Sequence, residues 1–446
     1  MSVDHWMTFG TFAEQRHFIY PRADTYQGVV INGNMAAYAP AGMASFLLEK
    51  TPSLPYIIDP QTHAFQHKAS AIQNRQGNVK VSIQKLAQAY GNPIKDLAGV
   101  HPVLPRTFAA DETLGPFVKR CLEFQRNILR NAMLESDVAK YLDVEETDIP
   151  PYALVVPYFY MSEVTVEQWL PVCKKSAEMA ITFAPHEKVF GAVVLSEGAL
   201  LRDGIRAEIV TAFADLSLAG VLLWVDDFDE HEASSKALKG LLDLSRGLRN
   251  NGQKEVLNLH GGYFSVLAAG ALGGASMTGV AHGPEFGESR AVVPVGGGIP
   301  ISRYYIPHLH ARIRYRDALS LLAEKNWLRS ADVFHSKVCG CAECRATLAG
   351  DSANFTLFGD SVFREVRRRH GIVRIEYPTN ETKLRCLRHY LQRKALEYEF
   401  TSSATVEEQR QDLDEGIAEF GEVAGIEGVS HLHIWKDVLT GVERQL

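Results

Sequence analysis

Short apolar runs alternate with segments of helical periodicity along most of the chain before residue 300. The runs are rich in Val, Leu and Ile, as expected of parallel strands that are covered on both faces. They predict strands at 29–32, 56–59, 153–158, 189–195, 221–225, 256–260 and 276–281, and the segments between them predict helices at 79–90, 116–134, 166–180, 202–213, 232–250 and 263–271. This alternation favours right-handed βαβ units and a parallel sheet.

Two architectures are consistent with such a pattern. Seven predicted strands leave one to be found for a closed eight-stranded barrel, and an open doubly wound sheet is the alternative. The open sheet would be expected to carry a glycine-rich phosphate turn after its first strand. The sequence there, Ile31-Asn32-Gly33-Asn34-Met35, is not such a turn. We therefore predict an α/β fold, a (β/α)8 barrel of the TIM type, as the catalytic domain over residues 1–300.

The pattern changes near residue 300. Gly296-Gly297-Gly298 and Pro300 form a linker-like break, and a cysteine cluster, a basic block and an acidic segment follow it. We predict a zinc-binding subdomain with basic helices at 301–400 and an acidic C-terminal tail at 401–446.

The composition is that of a folded protein, with 46% hydrophobic and 22% charged residues in 446. No stretch of 18 or more apolar residues is present, so we predict no membrane span. The first ten residues lack the basic and apolar regions of a secretory signal, so the expected location is cytoplasmic.

Charge is distributed unevenly along the chain. The net charge of −7 argues weakly against nucleic-acid binding. However, residues 364–394 hold ten Arg and Lys against three Glu, whereas residues 401–446 hold three basic and ten acidic residues. Local potential attracts polyanions, so the basic block could contact nucleic-acid phosphates. A solvated helix face with an acidic cap is the alternative, and the sequence leaves both open.

Three of the six cysteines lie within six residues of one another. Cys339, Cys341 and Cys344 have the spacing C-x-C-x2-C, and Gly340 allows the turn that brings the first two together. Tightly clustered thiolates in a chain of this kind indicate a metal, and tetrahedral zinc requires a fourth ligand. The candidates for that ligand are His370, His389 and Cys386, between which the spacing does not decide.

Polar residues follow several predicted strands directly. Asp59 ends one strand, Asp226 and Asp227 follow another, and His260-Gly261-Gly262 and His282-Gly283 follow two more. In a (β/α)8 barrel the chemistry is at the carboxyl ends of the strands, so these carboxylates are candidates for nucleophile or general acid–base. Asp59 could equally cap the next helix. Gly261-Gly262 could admit a flat ligand close to the backbone, or form a tight turn.

Taken together, these residues resemble the tRNA-guanine transglycosylase (queuine/archaeosine tRNA-ribosyltransferase) family. Cys339, Cys341 and Cys344 match the zinc motif of that family, and Arg388-His389-Tyr390-Leu391 resembles the context of its ligating histidine. The segment from Asp59 to Gln66 resembles the segment that carries its general base. The stretch corresponding to the family's nucleophile, 276–280, holds no acid, and no Pro-Thr-Arg segment for gripping tRNA follows it. These departures resemble the branch that inserts 7-deazaguanine bases into DNA.

The resemblance implies exchange of guanine for 7-cyano-7-deazaguanine in DNA, or in tRNA, through a covalent Asp–C1′ intermediate. Asp59 would be the general base, Asp226 or Asp227 the relocated nucleophile, and His260 and Gly261 would contact substrate. A structural Zn2+ would be bound by Cys339, Cys341, Cys344 and His389. A partner nucleotide hydrolase and a homo-oligomer are further expectations. Two alternatives remain open: a catalytically silent zinc-containing nucleic-acid-binding paralogue, and a metal-dependent barrel hydrolase using His260, His282 and the acids at 226–230.

Overall fold

A computed structural model describes most of the chain as two compact units, Val3–Pro294 and Val295–Leu446. The described residues are 3–9, 26–50, 54–74, 76–134, 150–250, 252–271, 276–283, 288–293, 301–368 and 371–443. No helix among them is long and apolar enough to cross a membrane.

The first unit is a nearly closed barrel of parallel strands surrounded by helices, which confirms the predicted (β/α)8 architecture. Its strands are β1 (Asp4–Phe9), β2 (Gly28–Asn32), β3 (Tyr56–Asp59), β4 (Leu154–Val155), β5 (Tyr160–Met161), β6 (Val189–Leu195), β7 (Gly220–Val225), β8 (Glu255–Asn258) and β9 (Gly279–His282). Hydrogen bonds connect them in the order β3-β2-β1-β9-β8-β7-β6-β4, and β5 also pairs with β6. A parallel bridge between Ile57 and Ala153 joins the two ends of this order.

Strand β1 supplies the eighth position, which the sequence pattern did not reveal. It pairs in parallel with β2 on one side and β9 on the other. Of the predicted strand at 153–158, only Leu154–Val155 forms a strand, β4, and β5 follows beyond its end; both pair with β6. Together these two short strands fill one position of the barrel.

Helices cover the outside of the strands. They are α1 (Gly33–Tyr38), α2 (Pro40–Lys50), α3 (Ala69–Ile72), α4 (Val81–Tyr90), α5 (Ile94–Leu97), α6 (Asp111–Leu134), α7 (Val166–Phe183), α8 (Glu197–Leu200), α9 (Asp203–Ala214), α10 (Ser235–Arg249) and α11 (Tyr263–Ala271). In α10, for example, the Ser234 hydroxyl accepts the Ala237 N–H, and Leu238, Leu241 and Leu248 are buried. An N-cap and a recurring leucine face therefore define this helix.

Alternation along the strands decides which polar residues point into the barrel. Val30, Ile57 and Trp224 belong to the apolar cluster that fills its interior. Side chains two positions further along a strand point the same way. Asn32, Asp59 and Asp226 therefore face the interior at the carboxyl ends of their strands, where barrel chemistry takes place.

The second unit contains two antiparallel hairpins and a set of helices. The hairpins are β10 (Arg303–Ile306) with β11 (Ala311–Arg314), and β12 (Ser361–Arg368) with β13 (Gly371–Pro378). The helices are α12 (Tyr315–Glu324), α13 (Ala331–Lys337), α14 (Ala342–Leu348), α15 (Asn380–Ser403) and α16 (Val406–Glu443). The acidic segment after residue 400 largely forms α16, whose Leu413, Phe420, Leu432 and Trp435 are fully buried.

Candidate functional site

Asp59 is a buried carboxyl group at the mouth of the barrel. It ends β3 and is only 2% exposed. Its Oδ1 accepts the Tyr158 hydroxyl at 2.6 Å and the Gln61 N–H at 3.1 Å. Burial raises the pKa of Asp59, and these hydrogen bonds and Arg290 oppose the rise without cancelling it. A carboxyl group with a raised pKa keeps its proton to higher pH than an ordinary aspartate does, which suits a general acid–base.

Four rings line the interior beside Asp59. His63 stacks on Tyr158 with its Nδ1 3.1 Å from the hydroxyl oxygen, and its edge meets Trp224 at a centroid separation of 4.9 Å. His260 meets Trp224 at the same separation. Burial lowers the pKa of both histidines well below the usual value, and the nearby Arg290 lowers it further. Both are neutral at pH 7 and present flat, uncharged rings.

Arg290 is the cation of this cluster. Its guanidinium lies 5.8 Å from the centre of the Trp224 ring, and its Nη1 donates to Asn32 Oδ1 at 3.3 Å. The Trp224 Nε1–H donates to the backbone carbonyl oxygen of Arg290 at 3.0 Å. Sequence reasoning missed Arg290, His63 and Tyr158. For the first two, the available signal was their position eight and four residues beyond the ends of β9 and β3.

The two adjacent aspartates after β7 have different surroundings. Asp226 is half-buried, and its Oδ1 accepts the Val292 N–H at 2.7 Å. A side-chain hydrogen bond links it to Tyr160, and burial together with this carboxylate raises the pKa of Tyr160 to about 12. Asp227 is exposed, with φ of +49°, in the left-handed region. Of the pair, only Asp226 is directed toward the barrel interior.

His282 lies apart from this cluster. It points outward from β9, where its Nε2 is 2.8 Å from the Nε2 of His5 on β1. Both side chains are buried. The hydrolase alternative, which requires His282 beside His260 and the acids after β7, gains no support from this arrangement.

Gly261 is explained by packing. A methyl group at this position would lie 2.4 Å from Val280 Cγ1 and 2.8 Å from Asn258 Nδ2. Just beyond it, buried Glu230 accepts the backbone N–H and the hydroxyl of Ser265. The Gly261-Gly262 turn is thus held closely against its own neighbours.

We expect Gly261→Ala to lower the free energy of unfolding by about 1–3 kcal/mol, because the added methyl group overpacks a region that has no room for it. Gly283→Ala is the control, since nothing lies within 4 Å of the methyl group there. It should change stability by less than about 0.5 kcal/mol. Urea unfolding of both variants measures the difference. Equal stabilities would show that Gly261 is not constrained by packing.

The second unit contains a cluster of four candidate metal ligands. Cys339, Cys341, Cys344 and His389 are all buried, and their ligand atoms lie within 4.8 Å of one another. Cys341 is the N-cap of α14, Cys344 lies in its first turn, and His389 lies on α15. The Cys341 N–H donates to Cys339 Sγ and the Cys344 N–H to Cys341 Sγ, both at 3.4 Å. The C-x-C-x2-C spacing thus forms a turn with converging sulfur atoms.

Neighbouring groups hold His389 in the orientation of a ligand. Its Nε2 lies 2.7 Å from the carbonyl oxygen of Tyr305, so Nε2 carries the hydrogen and Nδ1 presents a lone pair to the sulfurs. The Tyr304 ring stacks on the imidazole at 4.2 Å, and its hydroxyl is 3.2 Å from Cys344 Sγ. Hydrogen bonds from the Cys341 and Cys344 side chains lower the pKa of Cys339 to about 3. These four residues could hold a metal ion.

Of the other two candidates for the fourth ligand, His370 lies outside the described residues, and Cys386 is not in this cluster. Cys386 donates its thiol hydrogen to the Phe358 carbonyl at 3.4 Å, and burial raises its pKa to about 12. Among the described residues, His389 completes the set of four.

Comparison with known proteins adds no relative. No family model matches the chain, and no curated protein matches it. The resemblance to the transglycosylases stays a prediction. It rests on the residues around Asp59 in the barrel and on the four candidate metal ligands of the second unit.

Proposed function

We propose that the protein is a nucleic-acid guanine transglycosylase that exchanges guanine for a 7-deazaguanine base in DNA. The observation that carries the proposal is a buried carboxyl group with a raised pKa, Asp59, facing the same interior as the half-buried carboxylate of Asp226. Only β4 and β6 stand between their strands in the barrel order. Two carboxyl groups in different environments are suited to different roles, one exchanging protons and the other attacking carbon.

In the proposed mechanism, Asp226 attacks the sugar. A carboxylate oxygen forms a bond to C1′ while the C1′–N9 bond breaks, and the electron pair leaves with guanine. Protonated Asp59 gives its proton to the departing base and becomes a carboxylate. It then takes the N9 proton of the incoming 7-cyano-7-deazaguanine, whose N9 attacks C1′ and releases the Asp226 carboxylate. Two displacements through a covalent intermediate replace one difficult step.

The remaining cluster residues suit recognition of a flat base. His63, His260 and Trp224 present ring edges and faces without charge, and aromatic surfaces stack on bases extruded from a nucleic acid. Arg290 adds one positive charge beside them, which favours an anionic nucleic-acid strand. Asp227, exposed on its turn, has no step in this mechanism.

We propose zinc as the metal of the second unit. Zn–S and Zn–N bonds at tetrahedral angles place a sulfur and a nitrogen ligand about 3.6 Å apart. The Nδ1 atom of His389 lies 3.7 Å from Cys339 Sγ, 3.4 Å from Cys341 Sγ and 3.3 Å from Cys344 Sγ. Four protein ligands leave no open position for water, so the ion would be structural.

The proposed substrate is DNA, since the Pro-Thr-Arg segment that grips tRNA in the family is absent from the sequence. The test is incubation of purified protein with labelled 7-cyano-7-deazaguanine and either guanine-containing DNA or tRNA. The exchange itself needs no ATP or redox cofactor. We expect label to enter DNA and not tRNA. Label entering tRNA alone would reassign the substrate. The final control repeats the assay with a partner nucleotide hydrolase added. Label entering neither nucleic acid in this control, with a folded metal-loaded protein, would contradict exchange activity.

A further inference from the structure

The hairpin of β12 and β13, termed the basic ribbon (residues 361–368 and 371–378), is exposed on one face and partly exposed on the other, where Val366, Ile375 and Tyr377 are half-buried. Its strands pair in register along all eight positions. Large apolar side chains are nevertheless exposed, with Val362 at 41% and Val373 at 46% on one face and Phe363 at 58% and Ile372 at 70% on the other. A two-stranded ribbon with no packed face is marginally stable by itself, and exposed apolar groups of this size commonly mark an interaction surface.

The register separates the side chains into two faces of different charge. Cross-strand partners share a face, so Val362, Arg364, Val366, Val373, Ile375 and Tyr377 lie together on one face. This face carries an arginine and no carboxylate. The opposite face carries Glu365 and Glu376 together with Arg367 and Arg374.

The arginines of the ribbon are oriented by rings. Arg364 lies 5.5 Å from the centre of the Tyr377 ring, and Arg374 lies 4.4 Å from that of Phe363. Among the described residues, neither these two nor Arg367 has a carboxylate within ion-pair distance. Glu376 is held instead by Arg316 at 2.8 Å. The guanidinium groups are therefore available to an external anion.

We propose that the basic ribbon is a docking surface for duplex nucleic acid, with the carboxylate-free face turned toward a groove. The major groove of B-DNA, about 12 Å wide, admits a two-stranded β-ribbon. Eight residues at about 3.3 Å each extend about 26 Å, most of one helical turn. Arg364 then faces the groove, and Arg367 and Arg374, on the opposite face, add positive potential beside the phosphates. The inference deepens the proposed function by naming the element that holds its substrate, although binding can be tested without exchange.

The experiment uses the full chain and a labelled random-sequence DNA duplex, with affinity measured by fluorescence anisotropy at several salt concentrations. The test variant is R364Q/R367Q/R374Q. Loss of three positive charges beside the DNA should weaken binding about 100-fold near physiological salt and lower the salt slope by up to about 3. The control K174Q/K239Q/R329Q removes the same charge from exposed sites outside the ribbon. It should change affinity by less than about threefold.

Further variants and competitors decide the partner. Glu365→Gln, on the opposite face, should leave binding equal or slightly tighter, and matched far-ultraviolet circular dichroism of all variants excludes misfolding as the cause. Unchanged affinity and salt slope in the triple-arginine variant would overturn the proposal. So would preference for single-stranded DNA, arginine-dependent pelleting with phosphatidylserine vesicles in place of DNA binding, or arginine-dependent self-association. Duplex binding through these arginines without any base exchange would support the ribbon and contradict the proposed function.

Discussion

Cys344→Ser should release the metal and destabilise the second unit. The Cys344 side chain is fully buried, with Sγ 3.3 Å from His389 Nδ1 and 3.2 Å from the Tyr304 hydroxyl. A serine hydroxyl is a much poorer zinc ligand than a thiolate. Binding energies of structural zinc in small domains reach about 10–16 kcal/mol, and this energy is folding energy. We expect metal content to fall from about one ion per chain to nearly none.

The loss should spread beyond the cluster because the histidine is connected to a buried charge network. The Tyr305 carbonyl accepts from His389 Nε2, and the Tyr305 hydroxyl donates to Glu397. Glu397 also pairs with Lys394 at 3.0 Å and with His310 at 2.9 Å. Although burial opposes it, Lys394 and His310 lower the pKa of Glu397 to about 2. Buried charges that lose their partners cost several kcal/mol. A disordered Tyr305 would therefore weaken the network of Glu397, Lys394 and His310.

Elemental analysis and thermal unfolding measure the two effects. Cys386→Ser is the matched control, since it makes the same change three residues before His389. A serine hydroxyl can keep the hydrogen bond to the Phe358 carbonyl, so this variant should bind a full equivalent of metal and unfold close to wild type. Full metal content in Cys344→Ser, or metal loss in Cys386→Ser, would show that the ligand set is wrong.

The barrel was predictable because buried parallel strands appear in the sequence as apolar runs. Strand β1 escaped because Asp4, His5 and Thr8 interrupt its apolar pattern. Its partners are also distant: Met7 pairs with Val29 on one side and with His282 on the other. A pairing across 275 residues has no local signal, so only the need for an eighth strand indicated that it existed.

The residues of the candidate sites were likewise predictable only where their signal in the sequence is local. Asp59 and Asp226 were predictable because they directly follow apolar strands, and three cysteines because their spacing is local. Arg290 was not, since its contact with Asn32 joins residues 258 positions apart. The choice of His389 needed its sequence context as well, because 45 residues separate it from Cys344 and only the path of α15 brings them together.

Asp226→Asn should abolish the covalent enzyme–DNA adduct and reduce exchange by at least about 1,000-fold. An amide is not a nucleophile toward C1′, and loss of such a group from a two-step mechanism removes the intermediate. Its neighbour supplies the control. Asp227 is exposed at φ of +49°, a conformation that asparagine adopts readily, so Asp227→Asn should fold normally and retain adduct formation.

Asp59→Asn should affect turnover differently. The asparagine oxygen can still accept the Tyr158 hydroxyl, so the local structure should persist, but the side chain can no longer exchange a proton. We expect a loss of about 100- to 10,000-fold in turnover, the usual contribution of a general acid–base. Release of the product requires ionised Asp59 to take the N9 proton. The first displacement, however, requires protonated Asp59. Because burial raises its pKa, the wild-type rate should therefore pass through a maximum near that raised pKa and fall at lower and higher pH, and the variant should lose this dependence.

Trapping the adduct by denaturation and measuring exchange over a pH series separate the two aspartates. If Asp226 attacks and Asp59 moves the proton, the first variant yields no adduct at any pH, whereas the second yields a residual rate with a flat profile. Adduct in Asp226→Asn but none in Asp227→Asn would transfer the attack to the exposed neighbour. Wild-type rates in all three variants would remove the chemistry from this end of the barrel, because an amide at any of these positions can neither attack C1′ nor take the N9 proton.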